Sequence, residues 1–200
     1  MASSVIQVCN RALTKLGSAR IVDLLDDSRQ ARALNAAYEP VRDLVLRTFR
    51  WGFALKRALL SASATPPAFG FNYQYVLPSD YLLVDQVGEQ MPTVGSDSYV
   101  GTEIVDYAIE NGRLLTDMAA PLALRYVARI TDPTVWDAHF AEVLACKLAW
   151  ELCEELTQSD AKRQLAQGEF RNAVAAAIKV NAILRVPTQF ADGNWINSRI

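Results

Sequence analysis

The run DPTVWDAHFAEVLACKLAWELCEEL, residues 132–156, has helical spacing and is apolar round most of its circumference. Trp136, Phe140, Leu144, Leu148, Leu152 and Leu156 recur every fourth residue, with Val143, Ala145 and Ala149 beside them. Lys147, Glu151, Glu154 and Glu155 form the only polar ribbon. A helix with so narrow a polar face is buried on more than one side. Asp132 is placed to cap it, with Pro133 at the first helical position. Such a helix needs other helices as cover, and the flanking sequence supplies them.

Downstream, Ser159 opens a further helix with a stripe of Ala166, Phe170, Ala173, Val174 and Ala177, small enough for close approach. At the other end of the chain, Ser4 and Gln7 form a capping box. Val5, Val8, Cys9, Ala12, Leu13 and Leu16 follow at helical spacing, and Gly17 supplies a stop. Asp26, Asp27 and Ser28 start a second helix carrying Ala31, Leu34, Tyr38, Val41, Val45 and Phe49. Pro40 lacks an amide proton, so the expectation is a kink near Glu39 or two shorter helices.

Between these blocks the character changes to short extended segments. Residues 68–76 carry Phe69, Phe71, Tyr73 and Tyr75 at period two, which predicts a strand with rings on one face. Asp106 to Thr116 reads as a hairpin turning at Asn111-Gly112, with Glu110 opposite Arg113, and Leu122 to Val127 as another strand. The expected fold is α+β, mostly a bundle of four main helices with a small antiparallel β unit inserted between the N- and C-terminal helix pairs. In residue numbers this gives N-terminal helices at 1–54, the inserted β unit at 55–131, C-terminal helices at 132–184 and an extended docking tail at 185–200.

With 200 residues, 51% hydrophobic and 21% charged, and a formal net charge of −2, the composition excludes a disordered chain, a collagen-like repeat and a polybasic nucleic-acid binder. The small total conceals a division. Residues 1–60 sum to +5, residues 61–133 to −6 and residues 134–200 to −1. Such asymmetry suggests complementary surfaces within one chain or between copies. Cys9, Cys146 and Cys153 are an odd number without a C-x-x-C, and the last two lie about 10 Å apart along a helix, too far for a disulfide. Three reduced thiols in a cytoplasmic protein are expected. No basic start with an apolar core argues for a signal peptide, and no run of about 18 uncharged apolar residues argues for a membrane span.

His139 is the only histidine, and its place on a helix between Ala138 and Phe140 gives it a structural or surface role rather than one in a catalytic triad. A zinc site with several imidazoles is impossible, and the cysteine spacing suits no metal. No phosphate-binding glycine loop occurs, so neither catalytic residues nor a cofactor or metal are expected. The segment RTFRWGFALKR at 47–57 interleaves cations with Trp51 and Phe53, as a single-strand binder does. The stronger reading has its cations complementing a helix end while the rings cap the core. In the tail, Pro187, Asp192-Gly193 and the apolar Phe190, Trp195 and Ile196 have too little periodicity to fold alone. They dock either on the chain's own helices or on a neighbour or partner.

Taken in order, these segments have a counterpart. The capped helix ending at Gly17, the helix with Tyr38 and Arg42 leading to Trp51-Gly52-Phe53-Ala54, and Tyr75-Val76-Leu77-Pro78-Ser79-Asp80-Tyr81-Leu82 resemble the tail adaptor family of short-tailed bacteriophages, the tail tubular protein A type. The likeness continues through Glu110-Asn111-Gly112-Arg113-Leu114-Leu115, the passage from Tyr126 to Phe140 and Gly193-Asn194-Trp195, over nearly the whole chain. The resemblance implies a virion structural protein at the portal vertex. It implies a ring, usually of twelve copies, joining the portal protein to the tail nozzle protein while viral DNA passes through the lumen without sequence-specific binding. Phe190, Trp195, Ile196 and Arg199 would then engage the portal or a neighbouring subunit. Arg42, Arg47 and Arg50 would meet Asp97, Glu103 and Asp106 across subunits. Peptidoglycan hydrolysis, credited to some relatives, and nucleic-acid binding are the alternatives, the first lacking a carboxylate pair at a convincing spacing.

Overall fold

The computed structural model describes residues 4–88 and 106–183. Its elements in chain order are α1 (Val5–Leu16), α2 (Arg29–Thr48), β1 (Leu55–Leu60), β2 (Tyr73–Val76), β3 (Tyr81–Val87), β4 (Tyr107–Glu110), β5 (Arg113–Thr116), β6 (Leu122–Ala128), α3 (Ala138–Thr157) and α4 (Asp160–Ile183). The chain is α+β, with four helices and two small antiparallel three-stranded sheets. Its described residues fall into two compact units, one formed by those up to 55 and from 127 onward, the other by those from 56 to 126.

In the first unit α1 is closed at both ends. The Ser4 hydroxyl accepts from the Gln7 amide while the Gln7 side chain accepts from the Ser4 amide, each at 3.1 Å. Gly17, at φ +68°, lets its own N–H reach the Thr14 carbonyl and that of Ser18 reach Leu13. α2 is capped by Ser28, which accepts from Ala31, and runs as one 20-residue helix with Pro40 inside it. The expected pair of shorter helices does not form. Pro40 lies on the exposed face, while Tyr38, Val41 and Val45 on the other face are buried and hold both halves in register.

α3 is the helix the others cover: it packs against α1, α2 and α4. Phe140, Leu144, Leu148 and Cys153 are fully buried along it. Its start differs from the expected one. Asp132 caps a single 3-10 turn, Pro133–Val135, and the helix begins at Ala138, where Asp137 accepts from the His139 amide at 2.7 Å. Between the two, Trp136 is extended and buried, with its indole N–H donating to Ile130. Seating that ring requires a break in the helix.

In the second unit one sheet has the order β1-β6-β3 and the other β2-β5-β4. Where one small β unit was expected there are two sheets, and β1 and β3 carry no period-two signal of their own. The aromatic strand is shorter than its pattern predicts. Only Tyr73–Val76 pairs, because Gly70 turns at φ +90° and Phe69 stands 87% exposed. Tyr75, fully buried, donates its hydroxyl to the Met118 carbonyl at 2.6 Å.

The hairpin β4–β5 turns at Asn111 (φ 48°) and Gly112 (φ 70°), and Glu110 lies opposite Arg113 in its register. Both turn residues are left-handed, as a type I′ turn demands. A Cβ at Gly112 would meet nothing within 4 Å. Gly112→Ala therefore isolates backbone strain, and we expect a loss of about 1 kcal/mol by denaturant midpoint.

Asp80 ties three elements of this unit together. Lys56 donates to one carboxylate oxygen at 2.7 Å, and the Tyr126 hydroxyl donates to the other at 2.9 Å. The Lys56 bond holds the Asp80 carboxyl below its ordinary value, against the opposing effect of burial and with the Tyr126 bond adding to it. Burial, then the Asp80 carboxylate, pushes the Tyr126 phenol up to about 12. A depressed carboxyl contributes stability above the unfolded value, near 3.9, and loses it as pH falls through the folded value. Denaturant midpoints should therefore fall more steeply below pH 4 in the wild type than in Asp80→Asn, and parallel curves would remove Asp80 from the acid limb.

Candidate interaction surface

The loop from Ser18 to Ser28 is short of regular structure and rich in hydrogen bonds. The Asn10 side chain clamps Ile21 from α1, donating to its carbonyl and accepting from its amide, both at 2.9 Å. Asp26 accepts from the Val22 and Asp23 amides, at 2.8 and 3.0 Å, and Asp23 accepts from the Leu25 amide at 2.8 Å. Those two backbone donors lower the Asp26 carboxyl below its ordinary value. Ile21 points inward, 6% exposed, whereas Val22 and Leu25 are 86% and 85% exposed. A fixed loop thus holds two large apolar side chains in water.

Beside the loop runs a groove of about 580 Å³, lined by Val5 and Ile6 of α1, Leu24 of the loop and Ala36, Tyr38 and Pro40 of α2. Asp23 and Glu39 stand at the same lining. Burial pushes the Tyr38 phenol up to about 12, with Arg42 pulling the other way. The exposed side of α2 continues from Ala36 and Pro40 to Leu44, 51% exposed, and on to Arg47. Along it apolar Ala36, Pro40 and Leu44 are interspersed with exposed Asn35 and Glu39, and a cation, Arg47, lies beyond.

The residues expected to pair between subunits are divided by the structure. Arg42 does not fit that role. Its side chain is only 4% exposed, it donates to Asp43 at 2.9 Å through Nε, and its guanidinium lies 5.7 Å from the centre of the Tyr38 ring. A cation committed inside its own helix offers nothing to a neighbour. Arg47 and Arg50 are exposed, but α2 ends at Thr48, so Arg47 alone lies in its last turn and complements its dipole. Asp106 is exposed beside β4. Asp97, Glu103, Phe190, Trp195, Ile196 and Arg199 lie outside the described residues.

Sequence reasoning missed the loop and groove because it scored periodic segments, and Val22 and Leu25 belong to none. An Asp-x-x-Asp pairing at Asp23 and Asp26, around exposed apolar residues, was the available signal. Elsewhere, charged groups join helices. Lys15 reaches Glu142 of α3 and Glu169 of α4, at 3.0 and 2.9 Å, and Arg11 also pairs with Glu142. Burial lowers the affinity of Lys15 for its proton, but the two carboxylates outweigh it and the net shift is upward.

All three cysteines are free and buried. Burial raises the Cys9 thiol to about 12, and burial with Glu142 raises Cys146 to about 11, so both are poor nucleophiles at neutral pH. Among the described residues no group of three or more His, Cys, Asp or Glu is arranged to hold a metal ion, and no helix is long and apolar enough to cross a membrane. His139 sits half-buried in the first turn of α3. No protein-family model matches the chain, and no curated protein matches it significantly.

Proposed function

We propose that the chain is a virion structural protein, a non-enzymatic adaptor whose copies form a ring between the portal and the tail nozzle of a short-tailed bacteriophage. What supports this reading is that the residues carrying the family resemblance are the ones the fold is built on. Trp51 packs edge-on against Phe140, 5.2 Å between ring centres. Tyr75 and Asp80 anchor the second unit, Asn111-Gly112 makes its hairpin, and Gly17 ends α1. A likeness confined to surface residues would say little about architecture, whereas these members of it fall on a helix stop, a turn and core positions. We read the four helices as one bundle around α3, with the β unit inserted and residues 185–200 as the docking tail.

In that ring a dozen copies make head-to-tail contacts and the lumen conducts DNA without gripping it, consistent with a net charge of −2. The basic N-terminal block, through Arg47 and Arg50, meets the acidic middle block of the next copy, through Asp106 with Asp97 and Glu103. Mass measurement of the protein alone and mixed with its portal tests the reading. A large defined ring complex is expected, weakened by raising salt from low to several hundred millimolar and lost when residues 185–200 are deleted. Absence of any complex with the portal sinks the assignment, and a ring indifferent to salt sinks its electrostatic part.

A further inference from the structure

The loop and groove of the first unit form a receptor with a definite chemistry. Its lining sets apolar Val5, Ile6, Leu24, Ala36 and Pro40 beside polar Asn35 and Tyr38 around an open volume of about 580 Å³, the size of a ligand-binding cleft. On the same loop, next in sequence to the lining residues Asp23 and Leu24, Val22 and Leu25 are surrounded by solvent although the loop under them is pinned by Asn10, Asp23 and Asp26. Pinning matters energetically, because a preordered apolar surface loses no conformational entropy when it is covered.

The groove also offers hydrogen bonding and charge. Pro40 has no N–H, so the Ala36 carbonyl four residues earlier receives no helical bond from position 40. Ala36 and Pro40 both line the groove. At the rim stand Asp23 and Glu39, the latter 75% exposed. An occupant that fits brings bulky apolar groups, an N–H donor and positive charge.

The chain itself carries such a segment beyond α4. Seventeen residues follow Ile183, and they hold Phe190, Trp195 and Ile196, with Arg185 and Arg199 against the single acid Asp192. Fully extended, they reach up to about 55–60 Å, enough to leave one molecule and enter another. Trp195 supplies both a large ring and an indole N–H.

We infer that the groove between α1, the 18–28 loop and α2 is the receptor for residues 184–200 of a second copy of this chain. Each copy then gives a tail and receives one, a heterologous contact that propagates head to tail. Trp195 fills the groove and donates to the Ala36 carbonyl, Phe190 and Ile196 cover Val22 and Leu25, and the tail arginines face Asp23 and Glu39. This rests on the adaptor reading only in taking the neighbour to be another copy. It requires no portal.

The test uses full-length protein without portal, followed by sedimentation velocity over a concentration series. Wild type should associate into growing oligomers, and Trp195→Ala and Ala36→Glu should each weaken association about tenfold or more. At several hundred millimolar salt, which screens the Arg47 and Arg50 contacts, a 1:1 mixture of the two variants should yield a dimer and nothing larger, because the intact tail of Ala36→Glu enters the intact groove of Trp195→Ala and no second tail-in-groove contact remains. Glu39→Arg, at an exposed position, serves as a second groove variant should Ala36→Glu fail to fold by circular dichroism. Wild type that stays monomeric at every concentration overturns the inference, as does association that ignores both variants or a mixture that gives no dimer. Each of these leaves the adaptor assignment standing if the portal complex still forms, and loss of the portal complex with dimer formation intact does the reverse.

Discussion

Phe140→Ala is expected to lower stability by about 3–5 kcal/mol, the usual range for emptying a fully buried phenylalanine site. Phe140 has no exposed surface, and three rings meet it, Trp51 at 5.2 Å, Phe53 at 5.1 Å and Trp136 at 5.3 Å, all near edge-on. Edge contacts of this kind add about 0.5–1.5 kcal/mol each beyond the area they bury. Trp51 and Phe53 come from the segment after α2 and Trp136 from just before α3, each held by its own backbone, so the rings do not close over an alanine and the cavity stays open. A domain stable by about 5–15 kcal/mol loses a large share of its margin. Urea unfolding followed by tryptophan fluorescence measures it, since Trp51 and Trp136 lie against the mutated site. Phe140→Leu, which keeps most of the volume, should lose less than half as much. Equal losses in the two variants would mean that the rings, rather than the filled volume, carry the stability.

That cluster was partly legible beforehand. The near-complete apolar circumference of residues 132–156 marks a helix buried on more than one side, and capping chemistry at Ser4, Gly17 and Ser28 places both ends of α1 and the start of α2. These signals are local, and local chemistry decides them. The start of α3 was misread because Asp132-Pro133 is a valid helix opening in isolation. The start moves to Ala138 because Trp136 is extended and buried, its indole N–H donating to the Ile130 carbonyl before the helix. At Pro40 one of the two alternatives, a pair of shorter helices, does not form: a lost amide bond costs the helix locally, while the buried face of Tyr38, Val41 and Val45 keeps α2 one element.

The sheets were the harder case. β1 and β3 mix burial classes along their length, so neither face gives a clean alternation. Pairing between strands far apart in sequence leaves no periodic trace, whereas the Asn111-Gly112 hairpin is local and was read directly. The candidate surface was legible only as composition. Which cations face outward depends on packing, and Arg42 shows how far a charge count can mislead.

Asp43→Ala should cost about 2–3 kcal/mol, although Asp43 looks like one more acid on a helix. Its Oδ1 accepts from Nε and Nη2 of Arg42, both at 2.9 Å, and its Oδ2 accepts from Nε of Arg129 at 2.7 Å. Breaking a fully buried pair costs about 3–5 kcal/mol because the remaining charge is stranded. Asp43 is 22% exposed, so water recovers part of that, but Arg42, 4% exposed and 5.7 Å from the centre of the Tyr38 ring, has little water of its own. The nearest other carboxylate on the helix, Glu39, is 3.9 Å away and 75% exposed. Arg129→Ala, removing a cation that is 44% exposed, should cost under about 1 kcal/mol. Combining Asp43→Ala with Arg42→Met should restore much of the loss, since the methionine fills the same space without a charge to satisfy. A double-mutant cycle on denaturant midpoints reads this directly. If Asp43→Ala costs no more than Arg129→Ala and Arg42→Met recovers nothing, the Arg42 charge is solvated after all. It then returns to the set of cations that a neighbouring copy can reach.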